Sequence, residues 1–394
     1  MTFDTFLMED CLDALIDYRG KTPKKSEKGI MTLSAKSVKN NYIDYAQCYY
    51  ISEDEYKRFM VRGLPQKGDI LLTTEAPLGM VAKLDRADIA IAQRLLTLRG
   101  KKGVLDNDYL LYYLQSPIGQ ASLKARETGT TVTGIKQSEF RKMEIKIPSY
   151  DIQRKISSIL GAIDEKIKIN CVINKNLEEQ ASAFFHLLFV DNADSNWKKG
   201  TLSDLGTIVA GGTPSKSKSE YYAEHGIAWI TPKDLSLNSS KFISHGATDI
   251  SELGYKKSSA VKMPSGTVLF SSRAPIGYIA IAANELTTNQ GFKSVIPNKG
   301  IGTPFMYFLL KWLLPTIEGM ASGSTFKEIS GTGMKAIPVI IPPDKVIQKF
   351  NDFCQPIFKK QASNEIENIK LSNIRDNLLP KLLSGKLDIS KLNC

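Results

Sequence analysis

The sequence predicts an α+β protein. Two copies of one globular domain are separated by two long antiparallel α-helices, which form a coiled-coil spacer with pseudo-two-fold symmetry. Two observations predict this: the chain contains itself twice, and each copy runs into a long stretch of helical periodicity. The segment GDILLTTEAPLG (Gly68 to Gly79) returns as GTVLFSSRAPIG (Gly266 to Gly277), shifted by 198 residues (266 − 68). GKTP at Gly20 to Pro23 returns as GGTP at Gly211 to Pro214. GTTVTGI at Gly129 returns as GSTFKEI at Gly323, and IKIP ending at Pro148 returns as VIIP ending at Pro342. The matches recur in one order at nearly constant offset. A period this long exceeds that of solenoid repeats, about 20–50 residues, so it marks a duplicated domain.

The elements follow in chain order. Residues 1–148 form the first globular unit, with strand-like segments at Asp69 to Thr73 and Ala90 to Leu98 and turn signals at Gly63 to Pro65 and Gly100 to Gly103. Asn107 to Gln115 reads as a helix, with its counterpart at Phe305 to Leu314. Residues 149–190 form a central helical spacer. From Ile152 to Leu188 there is no proline, and Ile156, Ile159, Leu160, Ile163 and Ile167 keep helical spacing, continued by Val172, Leu177, Ala181, Phe184 and Phe185. Asp151 stands where an N-cap is expected. About 37 residues at this rise give a rod of roughly 55 Å. Lys166 and Asn170 interrupt a strict heptad, which predicts a short, imperfect coiled coil. DNADSNW (Asp191 to Trp197) is a linker into the second globular unit, residues 191–342. Residues 343–394 form a distal helical region. Val346, Phe350, Phe353, Ile357, Ile366, Ile369, Ile374, Leu378 and Leu382 carry its stripe, and Gly385 is its stop signal. Neither amphipathic helix hides its stripe against itself, so the simplest arrangement packs the two together; folding each onto its own globular unit is the alternative.

Composition bounds the function. The chain of 394 residues is 42% hydrophobic and 24% charged, ordinary for a soluble globular protein. No apolar run approaches the roughly 18 residues of a membrane span. The N-terminal MTFDTFLMED lacks the basic and apolar regions of a secretory signal. Five scattered cysteines (Cys11, Cys48, Cys171, Cys354, Cys394) form no CxxC pair, which argues against a disulfide framework or a zinc site and fits a reducing cytoplasm. The net charge of +11 points to a polyanion such as nucleic acid, or to a generally lysine-rich composition.

Catalytic motifs are missing. GTTVTGIK misplaces its lysine for a phosphate-binding loop, no GxGxxG follows a strand, and His186, His225 and His245 make neither a HExxH pair nor an evident triad. No DPPY- or NPPF-type tetrapeptide is present. The chain is expected to be non-catalytic, with no cofactor of its own and no metal.

The candidate nucleic-acid contacts are basic, amide and hydroxyl residues, several of them at matched places in the two copies, the types that hold phosphates and base edges. In the first copy they are Lys21, Thr22, Lys24, Lys25, Gln93, Arg94, Thr130, Thr131 and Lys136; in the second, Thr213, Lys216, Lys218, Arg273, Gln290, Lys293, Thr325 and Lys327. Each is also compatible with a solvated loop or a buried structural role.

Over its whole length the chain resembles the specificity subunit of type I restriction–modification systems. The resemblance is carried by IPSYDIQRKISSILGAIDEKI (Ile147 to Ile167), LEEQASAFFHLLFVD (Leu177 to Asp191) and NLLPKLLSGKLDI (Asn377 to Ile389), with GKTP, GGTPS, AQRLLTLR (Ala92 to Arg99) and NQGFK (Asn289 to Lys293) in the globular copies. It implies that each copy is a target-recognition domain reading half of a split, asymmetric site on double-stranded DNA. It also implies that the helices set the spacing and dock two methyltransferase subunits, with restriction and translocating subunits joining the full complex. S-adenosylmethionine, magnesium and ATP are then expected on those partners only. A scaffold that binds proteins and never reads DNA is the alternative. One departure stands out: Glu75 occupies the place of Arg273, and a carboxylate does not hold a phosphate as a guanidinium does.

Overall fold

The computed structural model describes residues 1–129, 133–238, 240–323 and 327–390. The chain divides into two compact units, Met1–Lys166 with Lys370–Cys394, and Ile167–Ile369. The division falls inside both long helices, α1 (Tyr150–His186) and α2 (Asp344–Leu383), so each unit holds a segment of each.

In the first unit an antiparallel sheet runs in the order Leu12–Asp17, Leu95–Gly100, Ile70–Thr73, Val81–Lys83. Ile70–Thr73 is buried at every position, as its continuous apolar run requires. A second sheet, Tyr49–Ile51, Ile30–Leu33, Ala90–Ile91, pairs its last two strands in parallel. The helix Asn107–Gln115 buries Tyr109, Leu110 and Leu114 in the same core as Ile70, Leu72, Leu96 and Leu98. Ile156 and Leu160 of α1 and Leu379, Leu382 and Leu383 of α2 complete that core.

The second unit repeats the plan. Its main sheet runs Gly206–Ala210, Lys293–Pro297, Val268–Ser272, Ile276–Ala282, Phe242–Ile243. A parallel pair, Trp229–Ile230 with Thr287–Thr288, matches the parallel pair of the first copy. Its core joins Val268, Phe270 and Val295 of the sheet to Phe305 and Phe308 of helix Thr303–Trp312, Phe185 of α1, and Phe350 and Phe358 of α2. Rings of Phe185 and Phe308 lie 6.0 Å apart and those of Phe185 and Phe350 5.6 Å apart.

Three expectations need correction. The strand expected over Ala90 to Leu98 is two strands in different sheets, because Arg94 takes φ +69, a left-handed conformation that turns the chain out of the first sheet. Asp151 lies in the first turn of α1 rather than capping it; Ser149 precedes the helix, and its carbonyl accepts from the Gln153 N–H at 3.0 Å. The counterpart helix starts at Thr303, with Pro304 in its first turn. α2 stops at Leu383, and Gly385 has φ +72 as a stop glycine requires.

The two helices do pair within each unit, and they run antiparallel. Arg375 Nη1 meets Asp164 Oδ1 at 2.8 Å in the first. In the second, Asn170 meets Asn368 at 2.8 Å, Asn174 meets Asn364 at 2.8 Å, and Glu178 meets Gln361 at 3.4 Å. Over this stretch the seam is polar, with Asn170, Gln361 and Asn364 buried, whereas farther along Phe184 of α1 packs on Phe353 of α2 at 4.6 Å. Conversely, Val172, Ile366, Ile369 and Ile374, expected in the stripe, remain exposed. No helix among the described residues is long and apolar enough to cross a membrane.

A buried lysine docks the sheet edge of the second unit on both helix segments. Lys241 Nζ donates to Glu178 Oε2 at 2.7 Å and Gln361 Oε1 at 2.9 Å, and sits 3.4 Å from the centroid of Phe358. Glu178 also accepts from Lys311 at 2.7 Å, and the Glu365 carboxylate receives the Lys241 and Phe242 N–H groups at 2.8 and 3.0 Å. Desolvation pushes the Lys241 ammonium down to about 8, against the opposing pull of Glu178. Removing Glu178 strands a buried cation, so Glu178→Ala should cost about 3–5 kcal/mol in urea unfolding. Lys241→Met keeps the aromatic contacts and leaves Glu178 with Lys311, and should cost clearly less; equal losses would contradict the assignment. Between pH 8 and 10.5 the unfolded chain still holds the proton that folded Lys241 has released. Its contribution to stability therefore rises with pH across that window, and Lys241→Met should flatten the rise.

Candidate nucleic-acid interface

In each unit three segments distant in sequence meet where the first long strand of the repeated motif ends. In the first copy the Thr74 N–H donates to Arg94 O at 3.0 Å, and the Ile135 N–H donates to Thr74 O at 3.0 Å. In the second, the Ser272 N–H donates to Gly291 O at 2.7 Å, and the Ile329 N–H donates to Ser272 O at 3.1 Å. Glu75 bridges Gly134 as Arg273 bridges Glu328. The turn that follows is also the same twice. Thr73 Oγ1 donates to Pro77 O at 2.7 Å and accepts from the Met80 N–H at 2.9 Å, as Ser271 Oγ does with Pro275 O at 2.9 Å and the Tyr278 N–H at 2.7 Å. Ala76 and Ala274, both at positive φ, precede cis prolines.

The backbone is thus shared while the charges are exchanged. In the first copy Glu75 Oε1 pairs with Arg94 Nε at 2.7 Å. In the second, Arg273 Nη1 pairs with Glu328 Oε2 at 3.2 Å, and Lys293 Nζ lies 3.5 Å from Glu328 Oε1. Glu75 and Arg273 therefore each close an ion pair within the same three-segment junction, with opposite sign. Half of the Arg94 side chain stays exposed, whereas Lys293 is nine-tenths buried. The ammonium of Lys293, a candidate DNA contact, faces Glu328, on a strand position that Leu96 fills in the first copy.

The second unit gathers its candidates in a cleft of ≈ 630 Å³. Thr213 and Lys216, Arg273, and Gln290 line it from three separate segments. The loop carrying Thr213 is held close: the Gly212 N–H donates to Thr288 O at 2.9 Å, and Gly212 O accepts from Trp229 Nε1 at 3.0 Å. A Cβ on Gly211 would lie 2.0 Å from Asn289 O, so only glycine fits there. Lys218 is exposed, with Glu220 Oε1 at 4.0 Å, and Lys327 is exposed beside Glu328.

In the first copy Lys21, Thr22, Lys24 and Lys25 are exposed on the GKTP loop. The Lys24 N–H donates to Glu55 Oε1 at 3.0 Å, and Lys25 Nζ lies 4.9 Å from the Tyr49 ring centroid. Gly20 has open space around it, unlike Gly211. Gln93 is half-buried beside Arg94, and Lys136 is exposed at the start of helix Gln137–Arg141. Thr130, Thr131 and Thr325 lie outside the described residues.

Sequence reading missed Trp229, Thr231, Lys233 and Thr248, which also line the cleft. A signal for three of them was present: TLSAKSV (Thr32 to Val38) returns as WITPKDL (Trp229 to Leu235), with only the lysine identical in place. Among the described residues no group of three or more His, Cys, Asp or Glu is placed to hold a metal.

The profile of the type I restriction modification DNA specificity domain matches residues 11–179 and again 194–371. The chain is 38% identical to the specificity subunit of type I restriction enzyme MjaIX of Methanocaldococcus jannaschii over 177 residues, 43% of this chain and 41% of that protein's length. It is 24% identical to the HindI specificity subunit of Haemophilus influenzae over 402 residues, 82% of this chain and 87% of that one. In fold it is similar to the type I restriction–modification S subunit of M. genitalium, with a TM-score of 0.64 and 20% identity, covering 97% of this chain and 96% of the other.

The exchanged ion pairs are open to a direct check. Glu75→Arg sets two guanidinium groups side by side and should lower the Tm; adding Arg94→Glu should restore it. A double-mutant cycle should return a coupling of about 0.2–1 kcal/mol, as for a partly exposed pair. Additive losses would show that the two side chains do not interact.

Proposed function

The chain belongs to the type I restriction modification DNA specificity family, and we propose that it reads a bipartite, asymmetric site on double-stranded DNA, one recognition domain to each half. As a specificity subunit its work is recognition rather than catalysis. The observation that carries the reading is the junction built twice on one backbone with different side chains. A scaffold used twice with diverged faces suits two unlike half-sites. In the second domain Lys216 and Arg273 offer cations to phosphates, and Gln290 offers an amide of the kind that bonds adenine bidentately. In the first domain Lys21, Thr22, Lys24, Lys25 and Lys136 are the exposed counterparts, with Gln93 and Arg94 at the junction.

We further propose that two methyltransferase subunits dock on the helices. In the second unit Ile169 and Val172 of α1 and Ile366 and Ile369 of α2 leave apolar surface in water, which supports a protein partner there. Restriction and translocating subunits complete the complex, and S-adenosylmethionine, magnesium and ATP belong to these partners.

The test is genome-wide adenine methylation by long-read sequencing, in cells that express the partner methyltransferase with and without this chain. The expected result is one gapped motif that depends on the chain, with two unlike halves roughly one turn, about 10 bp, apart. An unchanged methylome, with the complex shown to assemble, would overturn DNA readout in favour of a protein scaffold. Lengthening the Ile152 to Leu188 helix should widen the gap and leave both halves as they are. An insertion that alters base preference at a fixed gap would contradict that role.

A further inference from the structure

We infer that Lys36 and Lys233 are a matched pair of phosphate contacts, one in each recognition domain. The inference rests on the DNA-reading function proposed above and adds residues to it.

The two lysines occupy one structural position built twice. Strand Ile30–Leu33 pairs in parallel with Ala90–Ile91, and strand Trp229–Ile230 pairs in parallel with Thr287–Thr288. The next ladder bond is also the same: the Ala92 N–H donates to Leu33 O at 2.8 Å, and the Asn289 N–H donates to Ile230 O at 2.9 Å. A capping box then turns the chain in both copies, Ser34 with Ser37 and Thr231 with Asp234. The lysine is the second residue of the short helical turn each time, Ala35–Ser37 or Pro232–Leu237.

Around that position almost everything else has changed. Thr32 faces Trp229 across the match, Ala35 faces Pro232, and Ser37 faces Asp234. The lysine alone is unaltered in TLSAKSV and WITPKDL. Both lysines are exposed, and among the described residues neither has a carboxylate partner, in contrast to Arg94, Arg273 and Lys293. Local helix electrostatics favours a carboxylate in a first turn, not an ammonium, so the turn itself does not explain the residue. Lys233 lines the cleft with Lys216, Arg273 and Gln290. Lys36 is tied through the Leu33–Ala92 bond to the segment that carries Gln93 and Arg94.

A lysine kept while its surroundings diverge fits a contact common to both half-sites. The sugar–phosphate backbone is common to all sequences, whereas base edges differ. The two contacts therefore position the duplex, and the divergent residues beside them read it.

The test uses the assembled methyltransferase complex and a duplex bearing its gapped site, with Lys36→Gln, Lys233→Gln and the double variant. Exposed side chains predict an unchanged Tm. The magnitude of the slope of log K against log salt should fall by about 0.9 for each single variant and about 1.8 for the double, with the recognised motif unchanged. Single methylphosphonate substitutions, which neutralise one phosphate at a time, should reveal one position silent to Lys36→Gln in one half-site and one silent to Lys233→Gln in the other. Unchanged slopes, or an altered motif at an unchanged slope, would overturn the assignment while leaving the proposed function intact. Failure of the unmodified complex to select any gapped site would sink the proposed function instead.

Discussion

Each globular core in this protein is unfinished without the long helices. The first unit's sheet packs on Leu110 and Leu114, but Ile156, Leu160, Leu379, Leu382 and Leu383 are needed to close the cluster. The second packs its sheet on Phe305 and Phe308, and Phe185, Phe350 and Phe358 close it. Burial of those side chains is a large favourable term for either unit. One segment of each helix is therefore held in each unit. The apolar side chains that the cores do not claim, such as Ile366 and Ile369, are left in water.

The helix seam in the second unit adds specificity to that burial. Buried Asn170, Gln361 and Asn364, with Asn174 and Asn368, bond across the pair where isoleucine or leucine would contribute more stability. An amide there has partners in one register and loses them in the next, so the pairing is pinned at some cost. Lys241 extends the same logic to the recognition domain, because its aromatic slot and its carboxylate come from different elements.

The duplicated junction shows how one backbone carries two surfaces. Its ladder bonds use main-chain groups, which do not depend on side-chain identity, so the fold tolerates exchange of Glu75 for Arg273 once a partner of opposite charge is supplied. The partner comes from a different segment each time, Arg94 in one copy and Glu328 in the other. The exposed side chains of the junction are free to diverge under that condition, while the strands beneath stay buried.

The sequence by itself determined the duplication, the two helices and the stop of the second, because these are encoded by local signals: motif recurrence, 3.6-residue periodicity, and turn residues such as Gly385. It also identified the segments that meet at the junction, since Gln93, Arg94, Arg273 and Gln290 all lie there or in the adjoining cleft. Only the tertiary structure decided what those side chains do. Arg273 finds Glu328 at a separation of 55 residues, and Lys293, buried on an inner strand, faces the same carboxylate. Pairings across such separations leave no period in the chain. The strand break at Arg94 is one left-handed residue with no pattern around it to mark it, and the match of TLSAKSV to WITPKDL is a shared backbone path whose side chains have mostly changed.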